Sequence, residues 1–287
     1  MQNNNEEVSV TSGGGSIGRL LIQLGKINKS DNERILQAQN ELGLRFGDAA
    51  IALGLITEAD ISQALALQFQ YTYLQPGEGG FSEELVAAYH PFSYQVEALR
   101  GLRSHLMSQW FSKGFKALSV VGANRGDGAS YLAANLAIVF SQLGQRTLLI
   151  DANLRFPRQN QIFSLSQKQG LSDIIAGRAD ISLITKVQAF NALSVLGAGT
   201  IPPNPQELLD SSAFTTLMLN VIGQYDVVLV DTPPASIGAD AQAVVSRCGG
   251  ALIVSRLNHT KLDDLVRVHE QINLTLSKVV AAVVSEF

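Results

Sequence analysis

Beyond residue 117 the chain shows short, predominantly apolar stretches that read as strands: Leu118–Val121, Arg146–Ile150, Leu193–Leu196, Asp226–Val230, Ala251–Ser255 and Val279–Val284. Between them lie helix-forming stretches such as 131–140 and 257–276. Unbroken apolar strands alternating with helices predict a mostly parallel sheet covered by helices on both faces, an α/β architecture. Upstream the pattern differs. Residues 1–15 are polar, close with Gly13-Gly14-Gly15 and read as a disordered lead. Residues 16–75 read as a small helical domain and residues 76–92 as a linker, because Pro76-Gly77-Glu78-Gly79-Gly80 interrupts any regular element. A helix over 93–111 opens the α/β domain of residues 93–287.

The helical segment contains an internal repeat. Gly18, Gly25, Ile27, Leu36 and Gln39 recur at one constant offset as Gly47, Gly54, Ile56, Leu65 and Gln68. Asn28 with Asp31, and Thr57 with Asp60, have the spacing of an N-cap and a third-position acid. Each copy is then a helix, a glycine turn and a second helix, and two copies make a module.

Candidate chemistry gathers where strands end, since ligands of open α/β sheets bind at the carboxyl edge. The first strand runs into Gly122-Ala-Asn-Arg-Gly-Asp-Gly-Ala-Ser130, followed by a helix. Strand, glycine loop and helix in that order make a phosphate-binding loop: backbone N–H groups turn toward an anion, and the helix N-terminus adds its partial positive charge. In the register of the phosphate-loop pattern, Ser130 stands at the hydroxyl position and Ala129 at the lysine position. The second strand ends at Asp151-Ala-Asn153-Leu-Arg155, and the fourth at Asp231-Thr-Pro-Pro234.

Composition narrows the reading without deciding it. With 46% hydrophobic and 16% charged residues over 287 positions, the chain can bury a large core. A net charge of −4 gives no basis for nucleic-acid binding. One cysteine excludes a disulfide framework, no apolar stretch is long enough to span a membrane, and the polar start lacks the features of a signal peptide. A cytoplasmic protein is expected, peripheral to the inner membrane through a partner. The four histidines show no metal spacing and read as structural.

Four stretches together resemble the bacterial tyrosine kinases of exopolysaccharide synthesis, relatives of the MinD and ParA ATPases. They are the glycine loop, Leu-Ile-Asp151-Ala-Asn153-Leu-Arg-Phe-Pro157, Val-Asp231-Thr-Pro-Pro234 and Gly199-Thr-Ile-Pro-Pro-Asn-Pro-Gln-Glu-Leu-Leu209. The resemblance implies a P-loop fold that binds ATP and Mg²⁺ through Arg125, Gly126, Asp127, Gly128, Ala129, Ser130 and Tyr131. It implies Ser130, Asp151 and Asp231 at the metal, Asp151 orienting or deprotonating a tyrosine hydroxyl, and Arg155 as a nearby positive charge. Glu97-Ala-Leu-Arg100-Gly-Leu-Arg103 matches the E-x-x-R-x-x-R helix that joins subunits of that family into rings, so a homo-oligomer is expected.

The repeat is similar to the N-terminal domain of type II secretion and pilus ATPases, whose cyclic di-GMP-binding members imply Arg45, Gly47 and Gln68 as contacts; the first copy has Ser16 where that pattern has arginine. With the repeat included, the chain looks like an EpsG-type chain-length-determinant tyrosine kinase, a type that works with a separate transmembrane, Wzz-type chain-length regulator. Three features depart from the family. Ala129 replaces the lysine, a loss on the order of 3–4 kcal/mol of charge stabilisation. Asn153 replaces a second aspartate, and no tyrosine follows Tyr225. A catalytically weak or inactive pseudokinase is therefore the alternative expectation.

Overall fold

In the computed structural model the described residues are 14–68, 72–75 and 77–286. The chain forms two compact units, one up to Thr72 and one from Tyr73. The disordered lead expected over 1–15 lies outside the described residues except for Gly14 and Gly15, which open the first helix.

The smaller unit consists of α1 (Gly14–Gln23), α2 (Lys29–Leu42), α3 (Phe46–Ala52) and α4 (Glu58–Gln68). The repeat predicts this plan, and both glycine turns adopt the left-handed backbone it requires, with φ +68° at Gly25 and +67° at Gly54. Both caps form. Asn28 Oδ1 accepts from the Asp31 N–H at 2.9 Å while Asp31 Oδ2 accepts from the Asn28 N–H at 3.1 Å; Asp60 Oδ2 accepts from the Thr57 N–H at 2.9 Å. Lys26 and Thr57 together hold the Asp60 carboxyl down to about 2. The main packing is between copies, α1 on α4 and α2 on α3. Each repeat thus covers the apolar stripe of the other, with Leu21, Ile27, Ile35, Phe46 and Ile56 buried at the centre. Leu36, the position equivalent to Leu65 in the other copy, is 39% exposed.

The larger unit begins with α5 (Val86–Tyr89) and α6 (Tyr94–Gln109). These are followed by β1 (Ala117–Gly122), α7 (Ala129–Gln142), β2 (Thr147–Asp151), α8 (Gln159–Ile162), α9 (Leu171–Ile175), β3 (Thr185–Lys186), β4 (Leu193–Leu196), α10 (Pro205–Asp210), α11 (Ser212–Gln224), β5 (Val227–Asp231), α12 (Asp240–Cys248), β6 (Gly250–Arg256), α13 (Leu262–Leu274) and β7 (Lys278–Ser285). The seven strands lie in the order β3-β4-β2-β5-β1-β6-β7, all parallel except the β3–β4 pair. The unbroken apolar runs have a direct cause: alternate residues are buried on opposite faces. Leu118, Val120, Leu149 and Leu229 pack toward α6 and α7, while Leu148, Ile150, Val228 and Val230 pack toward α9 and α11.

Two expectations need correction. The segment read as a linker, 76–92, is over its described residues part of the larger unit: Leu85, Ala87 and Ala88 are fully buried. Asn135 of α7 fixes it, accepting from the Ala87 N–H at 2.9 Å and donating to the Glu84 carbonyl at 2.9 Å. The helix expected over 257–276 begins only at Leu262. Residues 257–260 form a turn with Asn258 in the left-handed region, and the Thr260 hydroxyl accepts from the Arg256 N–H at 2.8 Å. The two-residue β3 carries no apolar run and was not signalled by the pattern.

Candidate active site

The central pair β1 and β5, together with β2, aims three strand ends at one edge. Asp151 closes β2, Asp231 closes β5, and the two face each other in register. β1 ends at Gly122, from which the glycine loop leads into the 14-residue α7. Gly126 and Gly128 take φ of +92° and +91°, which only glycine adopts without strain. The loop is braced from within. Asp127 is buried; its Oδ2 accepts from the Asn124 N–H at 2.7 Å, and its Oδ1 accepts from the Thr260 hydroxyl at 2.7 Å and meets His259 Nδ1 at 3.1 Å. Asp127 therefore shapes the loop through its side chain, and His259 has a structural role.

The loop and the start of α7 border a cavity of about 510 Å³, a volume within the range of small-molecule sites. Gly126, Asp127, Gly128, Ala129, Ser130 and Tyr131 all line it. So does Arg125, whose guanidinium lies 4.6 Å from the centre of the Phe156 ring. Glu84 and Arg158 line it as well. The α7 N-terminus presents backbone N–H groups that lack partners within the helix, so the cavity wall suits an anion.

The two aspartates are fully buried beside this cavity. Asp151 Oδ1 accepts from the Asn153 N–H at 3.1 Å, and its Oδ2 accepts from the N–H groups of Arg158 at 3.0 Å and Gln159 at 2.9 Å. In this arrangement Asp151 orders the 152–159 loop. Asp231 Oδ2 accepts from Gln159 Nε2 at 2.8 Å, and this amide together with the Ser130 side chain favours the ionised form of the carboxyl. Asp231 Oδ1 is buried with no hydrogen-bond partner. Burial pushes both carboxyls above the ordinary range, and for Asp151 the charge of Asp231 adds to the effect. A divalent cation would relieve that strain, and an orphaned carboxylate oxygen beside a serine hydroxyl fits Mg²⁺, which takes one or two protein oxygens and completes its shell with water and phosphate. Among the described residues no cluster of three acidic, histidine or cysteine side chains offers an all-protein metal site.

Arg155 departs from expectation. Its guanidinium is bound to Asp240 at the start of α12, Nε to Oδ2 at 2.7 Å and Nη2 to Oδ1 at 3.1 Å, and it does not line the cavity. It ties the loop after β2 to the start of α12. On α6, Arg100 pairs with Glu97 at 2.9 Å and donates to the Pro91 carbonyl, while Arg103 donates to the Val139 carbonyl at 2.8 Å. Of this trio Glu97 is the exposed member, with 72% of its side chain accessible. In the smaller unit Arg45 and Gln68 are exposed, and Gly47 lies so close to Ile61 that a Cβ there would sit 2.7 Å from Ile61 Cδ1. Glu84, Arg158 and Gln159 escaped sequence reasoning. Glu84 lay in the supposed linker, and no residue pattern marks the other two.

No family model matches the chain. Tyrosine-protein kinase YwqD of Bacillus subtilis is 32% identical over 201 residues, covering 70% of this chain and 85% of that protein. The chain belongs to the bacterial tyrosine-protein kinases. CapB of Staphylococcus aureus is 37% identical over 161 residues, 55% of this chain and 71% of that protein. Among solved structures, the kinase domain of Escherichia coli tyrosine kinase ETK superposes with a TM-score of 0.68 at 28% identity, covering 70% of this chain and 79% of that one. The mostly parallel α/β sheet is thus the fold of this family.

Proposed function

We propose that the chain is an ATP-binding, tyrosine-kinase-type component that sets exopolysaccharide chain length and export with a transmembrane chain-length regulator of Wzz type. The observation that carries the nucleotide reading is the cavity of about 510 Å³ walled by the glycine loop and Ser130, with Asp231 buried nearby and its Oδ1 without a hydrogen-bond partner among the described residues. Backbone N–H groups of 125–130 and the α7 N-terminus would hold the phosphates of ATP. Ser130 and Asp231 would hold Mg²⁺, with Asp151 beside them. Mg²⁺, when bound, supplies neutralising charge on the phosphates, and phosphoryl transfer depends on positioning and such neutralisation. The family supports the phosphotransfer and the polysaccharide context. On the E-x-x-R-x-x-R resemblance the proposal extends to a homo-oligomer joined through Glu97, Arg100 and Arg103, and to a cytoplasmic location at the membrane through the partner. Among the described residues no helix is long and apolar enough to cross a membrane.

A second reading, a catalytically weak or inactive scaffold, is favoured by Gln159. Its buried amide donates both to Asp231 and to the Ser130 carbonyl at 3.1 Å, so a neutral group already bridges two elements of the site. Ala129 and Asn153 point the same way. Incubation of the chain and its transmembrane partner with ATP and Mg²⁺ separates the readings. Phosphotyrosine that disappears with Asp151→Ala supports the kinase; none on either protein refutes it and leaves the scaffold. For the helical unit the proposal is cyclic di-GMP binding through Arg45, with Gly47 and Gln68 nearby. Arg45→Ala is expected to weaken that binding, and absence of binding by the unaltered chain refutes it.

A further inference from the structure

Two of the cavity-lining residues are cations, Arg125 and Arg158. Arg125 is exposed and rests on Phe156. Arg158 is built in more firmly. Its own N–H donates to Asp151, fixing the backbone at the mouth of the site. Its guanidinium meets the Glu84 carboxylate at 2.6 Å. Its charge also acts on Asp231, favouring the ionised carboxylate. Glu84 is equally fixed, since Asn135 of α7 holds its carbonyl and the Ala87 N–H. Both side chains line the cavity that holds Ala129 and Ser130. The pair is about half exposed, 44% and 43%, and an ion pair of that exposure adds little to stability. What it does is keep a guanidinium, the side chain best suited to bind phosphate through two parallel hydrogen bonds, inside a phosphate-loop cavity that has no lysine.

We propose that Arg158 supplies the terminal phosphates of the bound nucleotide with the positive charge that Ala129 cannot, and that Glu84 holds the guanidinium in place until phosphate displaces it. The proposal rests on the reading of the cavity as a nucleotide site. A terminal phosphate carries more charge than one carboxylate and offers three oxygens, so it competes for the guanidinium at the expense of Glu84. The two partners then have opposite effects: loss of Arg158 weakens binding, and loss of the Glu84 charge strengthens it. A pair that merely stabilised the fold would weaken binding whichever partner was removed.

The test is calorimetric titration of the full chain with ATP and with ADP, each with Mg²⁺, for the unaltered protein and for Arg158→Gln, Arg158→Lys and Glu84→Gln. Arg158→Gln is expected to weaken ATP on the order of tenfold or more and ADP by less. Arg158→Lys should recover part of the loss, and Glu84→Gln should tighten ATP. Unchanged ATP affinity in Arg158→Gln, or weakening by both Arg158→Gln and Glu84→Gln, overturns the role of Arg158 while leaving the nucleotide site standing. Absence of ATP binding by the unaltered protein overturns both. Glu84→Gln keeps the test decisive if Arg158→Gln does not fold.

Discussion

Asn135→Ala should release the 82–89 strap from α7. Asn135 is fully buried, and its amide accepts from the Ala87 N–H at 2.9 Å and donates to the carbonyls of Glu84 at 2.9 Å and Tyr131 at 3.0 Å. Ala87 is also fully buried, so its N–H would be left without a partner or water, at a cost of about 1–3 kcal/mol. The Glu84 carbonyl lies at an exposed residue and can turn to water, so its loss adds about 1 kcal/mol at most. The expected destabilisation is about 1–4 kcal/mol, large against an ordinary surface substitution. The chain has one tryptophan, Trp110, buried in the larger unit and stacked on Phe115 at 3.9 Å. Its fluorescence during denaturant unfolding therefore reports this unit without mixing in the helical one. A shift equivalent to less than about 0.5 kcal/mol, at unchanged slope, would refute the view that Asn135 anchors the strap.

Three further outcomes are expected. In the unfolded chain the carboxyls of Asp151 and Asp231 ionise near pH 4, whereas burial holds them protonated to higher pH in the fold. The folded state binds more protons over that window, so without nucleotide or Mg²⁺ the Trp110 unfolding midpoint should fall as pH rises from about 4 toward 8; Asp231→Asn should flatten the slope, and a midpoint that rises over the same window contradicts the assignment. Gly170→Ala would place a Cβ 2.1 Å from the Gly197 carbonyl oxygen and 2.6 Å from the Gly199 nitrogen, both backbone atoms that cannot move aside cheaply. A loss of about 3 kcal/mol or more is expected in the same assay, and a neutral variant would show that this crossing is looser than it stands. Arg155→Ala should destabilise by about 3 kcal/mol because it leaves the buried carboxylate of Asp240 unpaired, while Arg155→Ala with Asp240→Ala together should lose less than that; equal losses in the single and double variants would contradict the pairing.

What the sequence made legible was local or periodic. The strands were readable because both faces of the sheet are buried, which leaves Leu148-Leu149-Ile150 and Val227–Val230 apolar at every position. Asp151 and Asp231 were readable because each is the first charge after such a run. The caps at Asn28 and Thr57 were readable because partner and acceptor are three residues apart. What stayed hidden depends on distance along the chain. Arg155 looked like a free cation because Asp240 lies 85 residues away. The strap looked like a linker because its burial is set by Asn135, 48 residues beyond Ala87, while the proline and glycines just upstream of it, at 76–80, interrupt any period. Arg158 and Gln159 gain their meaning only when the loop after β2 folds back on Asp151, bringing one to Glu84 and the other to Asp231.

The central claim is that this cavity binds ATP although alanine stands at the lysine position. The most direct test is titration calorimetry of the purified chain with ATP and Mg²⁺, with Ala129→Lys measured alongside. The account predicts saturable ATP binding by the unaltered chain, tightened in Ala129→Lys. Heat of binding from the lysine variant alone would contradict it, because the glycine loop, α7 and the arginines would then be insufficient to hold the nucleotide.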